Sequence, residues 1–389
     1  METKTAGAGR FANFDLSAVP SPCFVIDTQK IAENLAILGK IQNQTDARIL
    51  LALKAFSLWS VADMISDTLS GCCASGLWEA KLAHQYYGGI LSSFSPAYKR
   101  SELDELCSLS DHLIANSAAQ LQQMKEIASA HQTQTGLRLN PGLVLGEVDM
   151  YDPSAPGSRL GMPLDQFDQF VAEGGMADID GLHMHSLCEQ GYQPLAALVD
   201  QIRPALDLAK GSFSWLNLGG GHMLTHPAYD TASLIALLNS LKTEYSAQLY
   251  LEPGMAIAFD AGILVGEILD VIDNDGAVAI TDISATCHMP DVLEAPYRPA
   301  LLGEVEQGVE VALGGPSCLA GDRIGRYQFA DIPQAGQRIA FLDQAHYSMV
   351  KTTSFNGVIL PSIALWDSQA DSLEIIRQFD YEDFKGRLS

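Results

Sequence analysis

The sequence predicts an α/β protein: a (β/α)8 barrel followed by a C-terminal β-rich domain. Three observations predict it. From Cys23 onward, short apolar runs alternate with amphipathic stretches, which is the texture of βα units around a parallel sheet. Counted from Arg48, eight such runs occur, the number a closed barrel requires. After Gly262 the helical stretches thin out and strands separated by turns take over. A length of 389 residues accommodates a barrel of about 250 residues plus a second domain.

Residues 1–20 read as a loose N-terminal extension. A leading strand at Cys23–Asp27, free to join either domain, precedes a helix at Thr28–Ile41. The barrel strands fall at Arg48–Leu53, Gly71–Ser75, Gly89–Ser93, His112–Ala115, Gly136–Asn140, Ile179–His185, Ser214–Leu218 and Gln248–Glu252. The barrel is expected over 21–262 and the β-domain over 263–389. Strands of the latter are placed at Ile263–Val271, Ala277–Ile283 and Gln337–Leu342. No fixed-period repeat or long linker interrupts the chain.

Hydrophobic residues make up 47% of the chain, enough for a large core. A net charge of −24 repels nucleic acid and anionic membranes and attracts cations. A polycationic substrate suits that field, although an ordinary acidic surface is the commoner explanation. The seven cysteines include no C-x-x-C pair, which points to reduced thiols and a cytoplasmic location. Met1–Phe14 lacks the apolar core of a signal peptide, and no apolar run is long enough to span a bilayer.

Barrel enzymes carry their chemistry at the C-terminal ends of the strands. Those ends here are polar: Lys54, Ser75, Asn140, His183 and His185, Gly219–Gly221, and Glu252. An amine directly after the apolar run Ile49–Leu53 is expected to be partly desolvated and to serve as a Schiff-base nucleophile. A surface lysine with a buried stem is the ordinary alternative. The triple glycine lets backbone N–H groups approach a phosphate, or simply makes a tight turn. Glu252 could hold the pyridine nitrogen of a pyridoxal phosphate protonated, with a helix-start or ion-paired carboxylate as the ordinary alternative. His183 and His185 share one side of a strand and raise a rival reading, a metal-dependent barrel hydrolase. Later strand ends offer that reading only His222 and Glu252, and no metal is expected.

These motifs resemble the fold-type III pyridoxal-phosphate decarboxylases, the group of ornithine and diaminopimelate decarboxylases. Within it, the resemblance is to the carboxynorspermidine (carboxyspermidine) decarboxylases. Its carriers are Leu53-Lys54-Ala55-Phe56, Ser158-Arg159-Leu160-Gly161, Gly181-Leu182-His183-Met184-His185, Cys188-Glu189, Gly219-Gly220-Gly221, Leu251-Glu252-Pro253-Gly254, Cys318-Leu319-Ala320-Gly321-Asp322, Phe355-Asn356-Gly357 and Phe379-Asp380-Tyr381. The resemblance runs from Ser21 to the C-terminus.

It implies pyridoxal phosphate as cofactor, with Lys54 as the Schiff-base lysine and His185 stacked on the cofactor ring. Ser75, Gly220, Gly221 and Tyr347 would line the cofactor, and Glu252 would face the pyridine nitrogen. Cys318 would reprotonate the product from across a homodimer interface, so that two active sites are shared. The implied reaction converts carboxynorspermidine or carboxyspermidine to norspermidine or spermidine. Glu189, Glu252, Asp282, His288, Asp291 and Asp322 are the candidate contacts for the substrate and its amines. The chain departs from diaminopimelate and ornithine relatives at Met255, where they carry an arginine. Arg298, however, resembles an arginine that binds diaminopimelate, which leaves diaminopimelate decarboxylation as the alternative.

Overall fold

The structure, a computed structural model, describes residues 5–145 and 152–389. It divides into a sheet unit, residues 1–33 with 258–389, and a barrel unit, residues 34–257.

The chain opens with β1 (Cys23–Asp27). The barrel unit then supplies β2 (Arg48–Ala52), β3 (Gly71–Ala74), β4 (Ile90–Phe94), β5 (His112–Ala115), β6 (Gln134–Asn140), β7 (Met162–Pro163), β8 (Gly181–Met184), β9 (Trp215–Asn217) and β10 (Gln248–Leu251). All pairings are parallel. They run from β2 through β3, β4, β5, β6, β8 and β9 to β10, which returns to β2 with Tyr250 opposite Arg48 and Leu251 opposite Ile49. The eight-stranded ring is therefore closed, and the short β7 attaches to β6 outside it.

Strands covered on both faces read as unbroken apolar runs, which is why Ile49-Leu50-Leu51-Ala52 is buried throughout. The barrel floor is filled by Leu50, Ile114, Trp215 and Tyr250. Trp215 fits because the adjacent strand β8 and the next strand, β6, carry glycine in register with it. A Cβ at Gly136 would stand 2.3 Å from the indole, and one at Gly181 would stand 2.0 Å from it.

The sheet unit holds β11 (Gly262–Asp273), β12 (Ala277–Thr281), β13 (Val309–Gly314), β14 (Arg323–Phe329), β15 (Arg338–Leu342), β16 (Ser362–Asp367) and β17 (Ser372–Arg377). Their order is β14-β13-β12-β11-β1-β16-β17, with β15 also paired to β11. Strand β1, whose membership the sequence leaves open, is antiparallel to β11 and parallel to β16.

The N-terminal segment corrects one expectation. Phe11 and Val19 are not part of a loose extension. Both are buried in the sheet core with Val25, Ile263, Val265 and Trp366. Phe11 and Phe14 lie 5.3 and 5.0 Å from the Trp366 ring, so aromatic packing holds the segment down.

Candidate active site

Strand β2 delivers Lys54 in the turn after its last residue, where the Ala55 N–H donates to Ala52 O at 3.1 Å. Lys54 is exposed, between buried Leu53 and buried Ala55 and Phe56. The expected desolvation by the preceding run is thus not observed, because those side chains fill the core beneath the amine without covering it.

Strand β8 places His183 in the core and His185 just beyond its end. His185 Nε2 stands 3.2 Å from Lys54 Nζ, while Nδ1 accepts the Gly220 N–H at 2.8 Å. That acceptor role leaves the proton of the neutral ring on Nε2. Burial, reinforced by the charges of Lys54 and Arg138, holds the imidazole well below its ordinary pKa, so the ring is neutral at pH 7.

Glu252, just past β10, is buried. Its Oε1 accepts from Asn217 Nδ2 at 2.7 Å and its Oε2 from His183 Nε2 at 3.2 Å. Burial opposes its ionisation. The His183 and Asn217 hydrogen bonds and the nearby Lys54 charge outweigh that and hold the carboxyl below the usual range. His183, kept neutral by burial, stacks on Phe94 with ring centroids 5.6 Å apart.

Arg138 on β6 is also buried. Its guanidinium lies 4.5 Å from the Phe94 ring centroid and donates to His185 O at 2.6 Å, and burial pushes its pKa down to about 10. Neither Arg138 nor Asn217 is among the site residues expected from the sequence. The available signal was a charge within the apolar run Gly136–Leu139, and an amide two residues before the glycine loop.

The triple glycine forms a tight turn, and two of its N–H groups have side-chain partners. The Gly219 N–H donates to Asn217 Oδ1 at 2.9 Å, and the Gly220 N–H is held by His185. These amides therefore orient side chains within the site. A Cβ would meet backbone at all three positions: Met184 O at 2.3 Å from Gly219, Glu252 O at 2.1 Å from Gly220, and Leu187 O at 2.0 Å from Gly221. The turn exists because the loop lies directly on its neighbours.

Ser75 is exposed at the end of β3, with its N–H donated to Glu79 Oε2 at 2.6 Å. Half-buried Glu189 has a left-handed φ of 52° and comes directly after Leu187 and Cys188, against which Gly221 packs. The barrel unit thus brings Lys54, Ser75, His185, Glu189, Gly220, Gly221 and Glu252 to one end. One ring nitrogen of each histidine is engaged, His183 Nε2 with Glu252 and His185 Nδ1 with the Gly220 N–H, and among the described residues no three His, Cys, Asp or Glu side chains gather as a metal set.

The sheet unit holds the other expected residues, and most are engaged there. Asp282 accepts from Ser21 Oγ at 2.5 Å and from the Glu267 N–H at 2.8 Å. Asp322 accepts from Ser284 Oγ at 2.8 Å, Ser317 Oγ at 2.6 Å and the Thr286 N–H at 3.2 Å, stitching its loop together. His288 is fully buried. Its Nδ1 accepts the Ser284 N–H at 3.2 Å and its Nε2 donates to Ile359 O at 2.9 Å. Asp291 is paired with Lys351. These groups were expected to await a substrate amine, but in the structure they hold the sheet unit together. Tyr347 has a left-handed φ of 44°. Cys318 is exposed, and its N–H donates to Asn356 Oδ1 at 2.9 Å.

A family model described as pyridoxal-dependent decarboxylase, C-terminal sheet domain, matches residues 23–345. The chain belongs to this family of pyridoxal-dependent decarboxylases. The enzyme is 35% identical to the carboxynorspermidine/carboxyspermidine decarboxylase of Campylobacter jejuni, over 95% of this chain and 98% of the relative. It is 37% identical to the carboxyaminopropylagmatine decarboxylase of Synechocystis, over 96% of each. The crystal structure of C. jejuni carboxynorspermidine decarboxylase complexed with norspermidine superposes with a TM-score of 0.86 at 35% identity, over 95% of this chain and all of that one. The diaminopimelate decarboxylase of Thermoplasma acidophilum is more distant, at 26% identity over 69% of this chain.

The decarboxylase uses pyridoxal phosphate, and the donor set fits it. An amine stands beside a neutral aromatic ring, an ionised carboxylate is buried among donors, and a glycine loop admits no side chain.

Proposed function

We propose that this decarboxylase removes the α-carboxylate of a carboxylated polyamine, carboxynorspermidine or carboxyspermidine, to leave norspermidine or spermidine. The observation that carries this reading over diaminopimelate is the state of Arg298. Diaminopimelate brings a second carboxylate, which needs a cation once it leaves water. The Arg298 guanidinium is ion-paired with Glu304, donates to Arg326 O at 3.1 Å from Nε, and lies 4.1 Å from the Tyr327 ring centroid. Met255, buried after Glu252-Pro253-Gly254, brings no charge. The Synechocystis relative favours a second reading, carboxyaminopropylagmatine, whose far end is a guanidinium rather than an amine.

Pyridoxal phosphate, when bound, supplies the sink for the electron pair left by departing carbon dioxide. Lys54 would hold the cofactor through its amine. His185, fixed by Gly220, would lie against the cofactor ring. Glu252, pinned by His183 and Asn217, would pair with the pyridine nitrogen. Ser75, Gly220 and Gly221 would line the cofactor within the barrel unit. Glu189, at the barrel mouth, receives a substrate amine, while Asp291 receives one only by exchanging Lys351.

The Cys318 thiol holds the proton delivered to the α-carbon, and it does so in a second copy of the chain, giving a homodimer with shared sites. Support comes from the surface around Cys318: Leu319 and Phe355 are 44% and 46% exposed, and both flank the Cys318–Asn356 contact. Among the described residues no helix is long and apolar enough to cross a membrane. With no C-x-x-C pair among its seven cysteines and a net charge of −24, we place the enzyme in the cytoplasm, with neither nucleic acid nor membrane as a partner.

The test is product analysis with carboxynorspermidine, carboxyspermidine, carboxyaminopropylagmatine and diaminopimelate side by side. The proposal requires faster turnover of either of the first two. Preference for the guanidino substrate establishes the second reading, and preference for diaminopimelate overturns both.

A further inference from the structure

Asn217 is completely buried and has both ends of its amide committed. Its Nδ2 donates to Glu252 Oε1 at 2.7 Å, and its Oδ1 accepts the Gly219 N–H at 2.9 Å. The orientation of the amide is fixed by those partners, since a backbone N–H only donates and an ionised carboxylate only accepts. A second link runs alongside: the Glu252 N–H donates to Gly219 O at 2.8 Å. From Gly219 the chain continues directly into Gly220, whose N–H orients His185. One side chain therefore touches both the carboxylate and the start of the loop that fixes the ring beside Lys54.

We propose that Asn217 is a positioning residue of the decarboxylase, which locks the Glu252 carboxylate in register with the glycine loop and so fixes the two faces of the cofactor seat relative to each other. The proposal rests on the reading that Glu252 faces the pyridine nitrogen. No other neutral donor on β9, β8 or β10 reaches Glu252 Oε1 among the described residues, and His183 serves only the opposite oxygen. Chemically, an amide is the residue the position requires. An aspartate of the same shape would set two carboxylates about 2.7 Å apart, where one of them must take up a proton. An alanine would leave the Gly219 N–H and one lone pair of Glu252 unsatisfied in a buried site.

The charged and titratable groups that act on Glu252 are His183 on β8, Lys54 after β2, Arg138 on β6, His112 on β5 and Cys73 on β3. None of them is altered by a change at Asn217, so a new titration would report the introduced carboxylate.

The experiment compares the wild-type holoenzyme with Asn217→Asp, Asn217→Ala and Glu252→Gln. It reads the visible absorbance of the bound cofactor from pH 5 to 9, and cofactor affinity by equilibrium dialysis. Asn217→Asp is expected to bring in a pH-dependent absorbance transition absent from the wild type. Asn217→Ala is expected to weaken cofactor binding by about tenfold, the scale of one charge-assisted buried hydrogen bond, without that transition. Glu252→Gln is expected to change the spectrum at every pH.

If Glu252→Gln alters the spectrum while both Asn217 variants match the wild type in spectrum and affinity, the inference is overturned and the reading of Glu252 stands. If Glu252→Gln leaves the spectrum untouched, the reading of Glu252 fails, and the inference with it. Failure to recover either Asn217 variant folded also overturns it, because Asn217 would then serve folding rather than the seat.

Discussion

The Gly220 amide donates to His185 Nδ1 at 2.8 Å, and this bond decides which ring nitrogen faces Lys54. A side chain at Gly220 would press its Cβ to 2.1 Å from Glu252 O, which the backbone must yield to. Gly220→Ala is therefore expected to rotate His185 away from Lys54 and to weaken cofactor binding by tenfold or more, about the loss of one buried hydrogen bond. Equilibrium dialysis measures it. Unchanged affinity would show that the loop tolerates the shift.

Lys54 is expected to be the site of covalent cofactor attachment. Borohydride treatment of the yellow holoenzyme should fix the cofactor on the peptide containing Leu53-Lys54-Ala55, as located by mass spectrometry. Lys54→Ala should abolish turnover while leaving the fold intact, because the side chain is exposed and packs against no core. An adduct on any other lysine refutes the assignment.

Arg298 gives the sharpest test of substrate choice. Arg298→Ala breaks a cation–π contact and an ion pair, at a cost of roughly 2 kcal/mol in folding stability. The ratio of kcat/KM between carboxyspermidine and diaminopimelate should stay within about twofold, a difference under 0.5 kcal/mol. A large fall for diaminopimelate alone would show Arg298 reaching the substrate.

His288 predicts an acid-sensitive fold. Burial lowers its pKa from 6.5 to about 4, so the folded protein keeps it neutral where the unfolded chain protonates it. Its contribution is complete above pH 6.5 and is lost as pH falls toward 4. Between pH 7 and 5 the loss is roughly 2 kcal/mol. Urea unfolding of His288→Gln should show lower stability at pH 7 and a shallower decline toward pH 5. An identical decline in both proteins would assign the sensitivity to other groups.

Shared active sites predict complementation. Inactive Lys54→Ala and Cys318→Ala chains, mixed under conditions of demonstrated subunit exchange, should recover part of the wild-type activity. No recovery would place the two residues in the same chain's site.

Features governed by burial were largely legible in the sequence, and features governed by pairing were largely not. Strand ends at Leu53, Ser75 and Glu252 could be read because apolar runs stop abruptly there. Strands β13, β14, β16 and β17 could not, since runs such as Val309–Gly314 alternate weakly and lie partly exposed. Asp282, Asp322 and His288 were visible as chemical groups, but their partners Ser21, Ser284 and Ile359 are far along the chain, and no local pattern shows them. Asn217 was hidden for the converse reason: a buried amide looks ordinary until both of its partners are seen.

The place of β1 has a consequence for how the protein is made. Cys23–Asp27 leaves the ribosome early, yet its neighbours in the sheet, Gly262–Asp273 and Ser362–Asp367, are translated only after the entire barrel. At bacterial or eukaryotic elongation rates that interval is on the order of tens of seconds. Through it, a strand of four apolar residues and Asp27 waits with both edges open, while the barrel, whose contacts are contiguous in sequence, is free to close. A chaperone that guards the nascent chain over this interval has Phe24, Val25 and Ile26 to hold.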